Sequence, residues 1–289
     1  KALMAKHELE MRQTRPLKFE LRSLPTLPNV YVELKNALSD ENASYCDVAD
    51  IISKDVIISA KILQLVNSAL FGLKQTISSI EQAISLLGLD TVKGLILTTG
   101  IFSKLSKAKV DFYNIAELCK RSVSIGMLSR HIAESLSEEK EVIDASSMSG
   151  MLSEIGKYLF IQNLDEEYEE IYRRHKQEKT PLELIEKERF GVTYADVGSY
   201  VVSLWGYSDN VVSAIQTQND FNNAALSNNV SKFSVYAAKK IYQNYVENPE
   251  DTDIAELCSH ESLNSSGLIK HLPDWVEYCL KIARDRRDI

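Results

Sequence analysis

The sequence is poor in residues that interrupt helices. Its 289 residues include only 11 Gly and 6 Pro, so long helices are possible. Uncharged runs reach only 12 residues, as in 197–208, whereas a membrane-spanning helix needs about 20 apolar residues. We therefore expect no membrane span. A chain of this length with 44% hydrophobic residues can bury a core without disulfides or a structural metal.

Cysteine is also scarce, and its spacing excludes the usual cysteine-based sites. The four cysteines, Cys46, Cys119, Cys258 and Cys279, form no Cys-x-x-Cys pair, which argues against a zinc site and a disulfide framework. No signal-peptide pattern is present, so we expect reduced thiols in a cytoplasmic protein. The chain begins at Lys1 rather than Met, which leaves open whether a domain precedes it.

The net charge of −8 makes nucleic acid an unfavourable partner, because an acidic surface repels phosphate backbones. Catalytic patterns are missing as well. None of the five histidines has a second histidine three or four residues away, and neither a phosphate-binding loop nor a nucleophile elbow occurs. The local motifs therefore favour a protein that is not an enzyme.

The hydrophobic pattern is helical almost throughout. Apolar residues recur at spacings of three and four, which predicts an all-α fold of about a dozen helices with no substantial sheet. Ser78 with Glu81 predicts the start of one helix, and Pro181 predicts the first residue of another. Gly88, Gly191 and Gly206 follow apolar helical stretches and predict left-handed helix ends.

Three regions follow from composition and pattern. Residues 1–22 are polar and charged, which is typical of a linker or helical extension. Residues 23–108 form an N-terminal helical half that opens on a stiff Leu-Pro-x-Leu-Pro turn, and residues 109–289 form a C-terminal half with longer helices.

Several ordered blocks resemble the HDOD domain, a divergent relative of the HD metal-dependent phosphohydrolases found in bacterial signalling proteins. The resemblance covers roughly residues 20–220. Its blocks are Leu24-Pro25-Thr26-Leu27-Pro28, Ile51-Ile52-Ser53-Lys54-Asp55, Lys61 to Gly72, Ile77 to Ile80 and Ala83 to Gly88. The family signature is strongest at Asn67, Ser68, Phe71 and Gly72, where we expect a helix end with Asn67 bound to backbone, Phe71 largely buried and Gly72 at positive φ.

The resemblance also implies where the metal site of the HD enzymes has been lost. The segment Gly150 to Lys157 looks like the one that carries their His-Asp pair, which here reads Ser153-Glu154. The family's earlier histidine falls on Arg121 and its last aspartate on Lys239. The histidines that are optional in the HD enzymes fall near Tyr194, Gln216 and Gln218.

These replacements oppose metal binding. Arg121 and Lys239 are cationic and repel a metal ion rather than ligate it, so we expect no catalytic residue, no metal and no cofactor. Instead, Arg121 and Glu154 should lie within about 4 Å of one another and form an ion pair, bidentate in its best geometry.

The resemblance implies a non-catalytic signal-transduction module. It would act through protein–protein or interdomain contact, as the output part of a bacterial signalling protein joined to a receiver or other sensory domain. One alternative is a metal-dependent phosphohydrolase of the HD superfamily. Another is a sensor that binds an anionic, nucleotide-like ligand in the degenerate pocket. The sequence leaves the partner, the input signal and the oligomeric state open.

Overall fold

A computed structural model describes residues 27–38, 44–68, 71, 73, 75–105, 113–220, 229–247 and 268–284. Within these residues every regular element is helical, which confirms the all-α prediction. The α-helices are α1 Asn29–Ala37, α2 Tyr45–Ser53, α3 Val56–Val66, α4 Ile80–Leu87, α5 Leu89–Leu105, α6 Ile115–Leu136, α7 Lys140–Leu152, α8 Ile155–Glu178, α9 Leu182–Phe190, α10 Tyr194–Leu204, α11 Asp209–Gln216, α12 Val230–Tyr242 and α13 Leu272–Arg284. A π-helical turn, Gln243–Glu247, continues α12, and a 3-10 turn, Leu268–His271, leads into α13.

The positive φ expected at the three glycine helix ends is confirmed, but Gly88 has ψ 153° and therefore lacks the left-handed helical conformation that was predicted there. Gly88, Gly191 and Gly206 all have positive φ, at 82°, 83° and 76°, a region that favours residues without a Cβ. The start predicted at Ser78 was wrong by one residue. Ser79 is the N-cap of α4 and its side chain accepts from the Gln82 N–H, while the Gln82 side chain accepts from the Ser78 N–H.

Pro181 precedes the helix it was predicted to open. It occupies the N-cap position, and α9 begins at Leu182. Proline is still well placed there, because its missing N–H falls among the first backbone groups of a helix, which have no partner within that helix.

The family signature segment forms a helix end, as expected. Asn67 is the C-cap of α3, and its side chain bonds to backbone at Leu63 O (2.8 Å), Ile77 O (2.7 Å) and Ile77 N (2.6 Å). Phe71 packs against the core but is only partly buried, so its burial is less complete than predicted. Gly72 lies outside the described residues.

A single hydrophobic core runs through both halves. It contains Ile62 and Leu95 from the N-terminal half together with Ile125, Phe160 and Val201 from the C-terminal half. Helix α5 packs on α6, α7 and α8 and joins the halves. The predicted boundary at residue 108 and the first region, 1–22, both lie outside the described residues.

Small residues let α6 and α7 cross closely near the site described below. A Cβ on Gly150 would lie 2.7 Å from Gly126 Cα, and one on Gly126 would lie 3.0 Å from Ser147 O. Such contacts leave no room for a side chain, so this crossing fixes where α7 ends relative to α6. In the part of the chain that the structure describes, no helix is long and apolar enough to cross a membrane.

Candidate functional site

Four helices and the connection between α7 and α8 bring the site together around one carboxylate. Glu154 lies between α7 and α8, next to Ser153. Arg121 comes from α6, Lys157 from the first turn of α8 and Lys239 from α12. Tyr194 is the first residue of α10, which a capping box of Thr193 and Asp196 starts at that position. The helix starts and ends therefore determine which side chains meet.

The Glu154 side chain is fully buried, with 0% exposure, and three cations surround it. Lys157 Nζ lies 2.6 Å from Oε2, Lys239 Nζ lies 3.3 Å from Oε1, and Arg121 Nε lies 3.5 Å from Oε1. Among the described residues neither Glu154 oxygen has a donor aligned for a hydrogen bond. We therefore describe these as charge contacts. The cluster of Arg121, Glu154, Lys157 and Lys239 is called the cation cluster below.

Neutral side chains order the two lysines of the cation cluster. Lys239 Nζ donates to Tyr194 Oη at 2.6 Å and also to Gln218 Oε1. Tyr194 Oη donates to Asn219 Oδ1 at 3.0 Å, and Gln218 Nε2 donates to the Ser153 carbonyl at 3.0 Å. The Lys157 Nζ atom lies 4.5 Å from the centroid of the Tyr194 ring, within the range of a cation–π contact.

The outer side of Arg121 is covered by the end of α12 and the turn that follows it. Arg121 Nη1 donates to Glu247, and the Tyr242 ring lies 5.6 Å from the guanidinium carbon. The Arg121 side chain is 12% exposed. Arg121 thus links a buried carboxylate to a second one nearer the surface.

Charge dominates the electrostatics of Glu154. Burial by itself raises the pKa of its carboxyl group, but the attraction of Lys157, Lys239 and Arg121 outweighs burial and holds the pKa well below its usual value. The same contact has the opposite effect on Arg121: burial lowers its pKa, but the Glu154 carboxylate outweighs this and raises it. Both groups are therefore ionised at neutral pH.

At Lys239, by contrast, the effect of burial on the pKa outweighs the attraction of Glu154. Burial lowers the pKa of its amine to about 7, because Glu154 only partly offsets burial and the neighbouring Lys157 and Arg121 add repulsion. Three cations sharing one buried carboxylate leave an excess of positive charge, and Lys239 is the member that can lose its proton near neutrality.

A second buried carboxyl group, that of Glu186, contacts the backbone of Tyr194 next to the cation cluster. Glu186, on α9, accepts hydrogen bonds from Tyr168 Oη at 2.6 Å and from the Tyr194 N–H at 2.7 Å. Burial raises its pKa to about 8, against the lowering effect of these two bonds. Glu186 holds the start of α10, and with it Tyr194, against α8 and α9.

The residues at this place do not fit the metal that the HD enzymes bind. A metal ion needs neutral imidazole or carboxylate donors, and Glu154 is surrounded by three cations instead. Among the described residues no group of three or more His, Cys, Asp or Glu side chains is placed to hold a metal.

Most of the predicted site residues come together. Arg121 and Glu154 lie within the predicted distance, through a single 3.5 Å contact rather than a bidentate one. Ser153 contributes its carbonyl, and Lys239, Tyr194 and Gln218 all join. Gln216, the remaining predicted residue, is exposed at the end of α11 and does not join the site.

Sequence reasoning missed Lys157. The signal was present, since Glu154 and Lys157 are three residues apart at a helix start, a spacing that lets side chains meet on one helix face. Asn219 was also missed, although it is adjacent to Gln218.

The model of the HDOD domain matches residues 24–221, which is more than half of the chain. The chain belongs to the HDOD domain family. Lys239, Tyr242 and Glu247 lie beyond the matched range, so the helix that follows the matched part of the HDOD domain supplies part of the site.

Solved structures show the same fold. An HDOD domain protein with unknown function from Geobacter sulfurreducens superimposes with a TM-score of 0.69, at 20% identity over 97% of this chain and 98% of that chain. A candidate phosphohydrolase from Shewanella amazonensis SB2B gives 0.67, at 21% identity over 91% and 94%. A candidate signal transduction protein from Marinobacter aquaeolei VT8 gives 0.63, at 16% identity over 97% and 65%.

Among curated proteins, one from Treponema pallidum (strain Nichols), itself uncharacterized, is 22% identical over 193 residues. These cover 67% of this chain and 37% of that protein. The chain therefore spans well under half the length of this relative, which has further sequence outside the match.

The shifted pKa of Lys239 predicts how stability depends on pH. In the unfolded chain a lysine amine titrates near 10.4, so between about pH 7 and that value the unfolded state binds more protons than the folded state. The free energy of unfolding should therefore gain a contribution that rises with pH across this range. Lys239→Met should remove that rise, measured by urea unfolding from about pH 6 to about pH 9.

The matched control for this experiment is Lys240→Met, at the next position of α12, where the side chain is partly exposed. It should leave the pH dependence as in the parent protein. Equal slopes for the parent and Lys239→Met would contradict the assignment of a titrating buried lysine.

Proposed function

We propose that this protein is a non-catalytic regulatory module of a bacterial signalling protein, cytoplasmic, and acting through contact with a protein partner or a neighbouring domain. The observation that carries the proposal is the cation cluster. Three cations occupy the surroundings of the carboxylate that matches the metal-ligating segment of the HD enzymes. Such a set ties α6, α8 and α12 together and repels the metal ion that would activate water in an HD enzyme.

Two further observations support a signalling role. The fold is shared with the candidate signal transduction protein from Marinobacter, although a shared fold alone does not assign a function. The Treponema relative is much longer than the matched part, which is consistent with an HDOD domain that works next to other domains. An output role downstream of a receiver or other sensory domain belongs to the same proposal.

The phosphohydrolase alternative takes its support from the candidate phosphohydrolase of Shewanella that shares the fold. It would need a metal ion at Glu154, where Lys157, Lys239 and Arg121 oppose one. An anion sensor at the same place is disfavoured because the Glu154 carboxylate already occupies the position among the cations, and its side chain is fully buried. Both alternatives are therefore less favoured.

A turnover assay tests the proposal. The full chain is incubated with Mg²⁺, Mn²⁺ or Fe²⁺ and a panel of phosphomonoesters, phosphodiesters and cyclic dinucleotides, and we expect no turnover. The comparison variant is Tyr194→Phe, which removes one hydroxyl from the site and keeps the ring beside Lys157. Turnover in the parent protein that Tyr194→Phe abolishes would establish an enzyme and contradict the proposal. Turnover that persists in Tyr194→Phe and co-elutes with the protein in size-exclusion chromatography would contradict it as well, whereas turnover that separates from the protein belongs to a contaminant.

A further inference from the structure

The last helix, α13, is an addition to the matched HDOD domain. It lies beyond residues 24–221, and residues 248–267 separate it from the π-helical turn in the sequence. Its main contacts are with α6, with α12 and with that turn. The surface that α13 covers is called the α13 groove below, and His131, Ser135 and Phe233 line it.

The buried side of α13 has the spacing of a helix that binds in a groove. Trp275, Cys279 and Ile282 are 1%, 0% and 5% exposed, and Tyr278 between them is partly buried. These positions are i, i+3, i+4 and i+7, which lie on one side of a helix and are the usual anchors of an amphipathic helix in a hydrophobic groove. Glu277, outside this set, is exposed. One stripe of side chains therefore makes the deepest contacts of α13.

Trp275 is the central anchor of this stripe. Its indole N–H donates to Ser135 Oγ at 3.0 Å, and its ring lies 6.1 Å from the Phe233 ring at an angle of 58°. Ser135 belongs to α6 and Phe233 to α12, so one side chain contacts both walls of the groove. Buried tryptophans of this kind carry a large share of the binding energy at protein interfaces.

His131 gives the α13 groove a polar edge. Its ring stacks on the Tyr278 ring with the centroids 4.1 Å apart, and its Nε2 lies 2.8 Å from Asp274 Oδ2. The Asp274 side chain is 64% exposed, and a contact at such an exposed position adds little stability. The apolar stripe therefore holds α13 in place, while His131 favours an acidic residue directly before the anchor and a ring three residues after it.

Helix α13 is also connected to the cation cluster. It contacts the π-helical turn, and that turn ends at Glu247, which pairs with Arg121. Helix α6 carries both His131 and Arg121. Departure of α13 from its groove would uncover one side of the turn that holds Glu247 against Arg121, so the groove and the cluster share two structural elements.

We propose that the α13 groove is the surface through which this protein binds a partner, and that α13 occupies it in the unbound state. The partner presents an amphipathic helix with an aromatic anchor, an acidic residue directly before the anchor and apolar residues three, four and seven positions after it. This helix replaces α13, which makes α13 an autoinhibitory segment. The inference rests on the role in protein contact proposed above and names the surface that makes the contact.

A labelled peptide with the sequence of residues 268–284 tests the proposal, with binding to the full chain measured by fluorescence anisotropy. The full-chain variant Trp275→Ala removes the anchor of the attached helix, so its groove is free more often, and the apparent affinity rises with the free fraction. We expect the peptide to bind this variant at least about tenfold more tightly than the parent chain.

Two controls separate the groove from general attraction. Glu277→Ala in the full chain changes an exposed side chain of α13 and should bind the peptide as weakly as the parent chain does. A peptide that itself carries Trp275→Ala should bind at least about tenfold more weakly than the unchanged peptide. The proposal is overturned if the parent chain and Trp275→Ala bind the peptide equally. It is also overturned if neither binds at about 1 mM peptide, which half-fills a site of millimolar Kd.

Two measurements on the parent chain complete the test. If Trp275→Ala does not fold, native-state hydrogen exchange still decides: the amides of α13 should exchange through local opening, at least about tenfold faster than the buried amides of α6. Equal protection of the two helices would contradict the proposal. So would a dimer in size-exclusion chromatography that Trp275→Ala dissociates, because α13 would then be exchanged between two copies. Turnover of a phosphoester bears only on the proposed function, so the two proposals fail separately.

Discussion

Replacing Glu154 with glutamine is expected to lower the free energy of unfolding by about 3–5 kcal/mol, because removing one partner of a buried ion pair leaves the others buried without compensation. Here three cations lose their common carboxylate. Urea unfolding followed by circular dichroism measures the change. The control is Glu134→Gln, which breaks a contact with Arg130 on an exposed side chain and should cost less than about 1 kcal/mol.

A double variant keeps this prediction testable if Glu154→Gln alone unfolds. Adding Lys239→Met to Glu154→Gln removes one of the uncompensated cations and should restore part of the lost stability, as a double-mutant cycle would show. A loss below about 1 kcal/mol for Glu154→Gln would contradict the account. So would a double variant that is less stable than the sum of the single changes predicts.

Gly156→Ala should also be strongly destabilising. A Cβ at this position would lie 1.8 Å from the Tyr194 carbonyl oxygen and 2.6 Å from its carbonyl carbon. These are backbone atoms, so the first turn of α8 would have to move away from α10 and would separate Lys157 from the Tyr194 ring. We expect a loss of about 3 kcal/mol or more, at the upper end of the usual cost of overpacking.

Gly88→Ala is the matched control for this substitution. Gly88 has positive φ at 82°, and a Cβ there would meet nothing within 4 Å. Only backbone strain is added, at a cost of about 1–3 kcal/mol, because the φ and ψ of Gly88 lie in a region that is essentially restricted to glycine. If thermal melts show Gly156→Ala to be no more harmful than Gly88→Ala, then α8 and α10 are not held as closely as described.

The sequence predicted the fold class and much of the site, for different physical reasons. Helical spacing of apolar residues is a local property, so α3 and α6 could be predicted from it. The positive φ of Gly88, Gly191 and Gly206 was equally predictable, since only glycine ends these helices without strain. Arg121 and Glu154 are far apart in sequence, and the resemblance to the HDOD domain, rather than any local pattern, brought them together.

The predictions that failed, and the contacts that were not predicted, concern interactions that depend on three-dimensional placement. Gln216 and Gln218 are two residues apart, and the direction in which α11 ends decides that only Gln218 faces Lys239. The contact of Tyr31 with Tyr207 spans 176 residues, and no pattern in either segment marks it. Helix starts such as that at Ser79 were displaced by one residue because Ser78 and Ser79 are both good caps.

We propose that the cation cluster takes the structural place of the metal centre of the HD enzymes. Thermal unfolding of the metal-free protein, repeated with Mn²⁺, Fe²⁺ or Zn²⁺ added, tests it most directly, because an ion that binds only the folded state raises its stability. We expect an unchanged melting temperature with every metal, and a purified protein without stoichiometric metal by elemental analysis. A saturable rise in melting temperature that Glu154→Gln abolishes, with one metal ion per chain, would contradict the account.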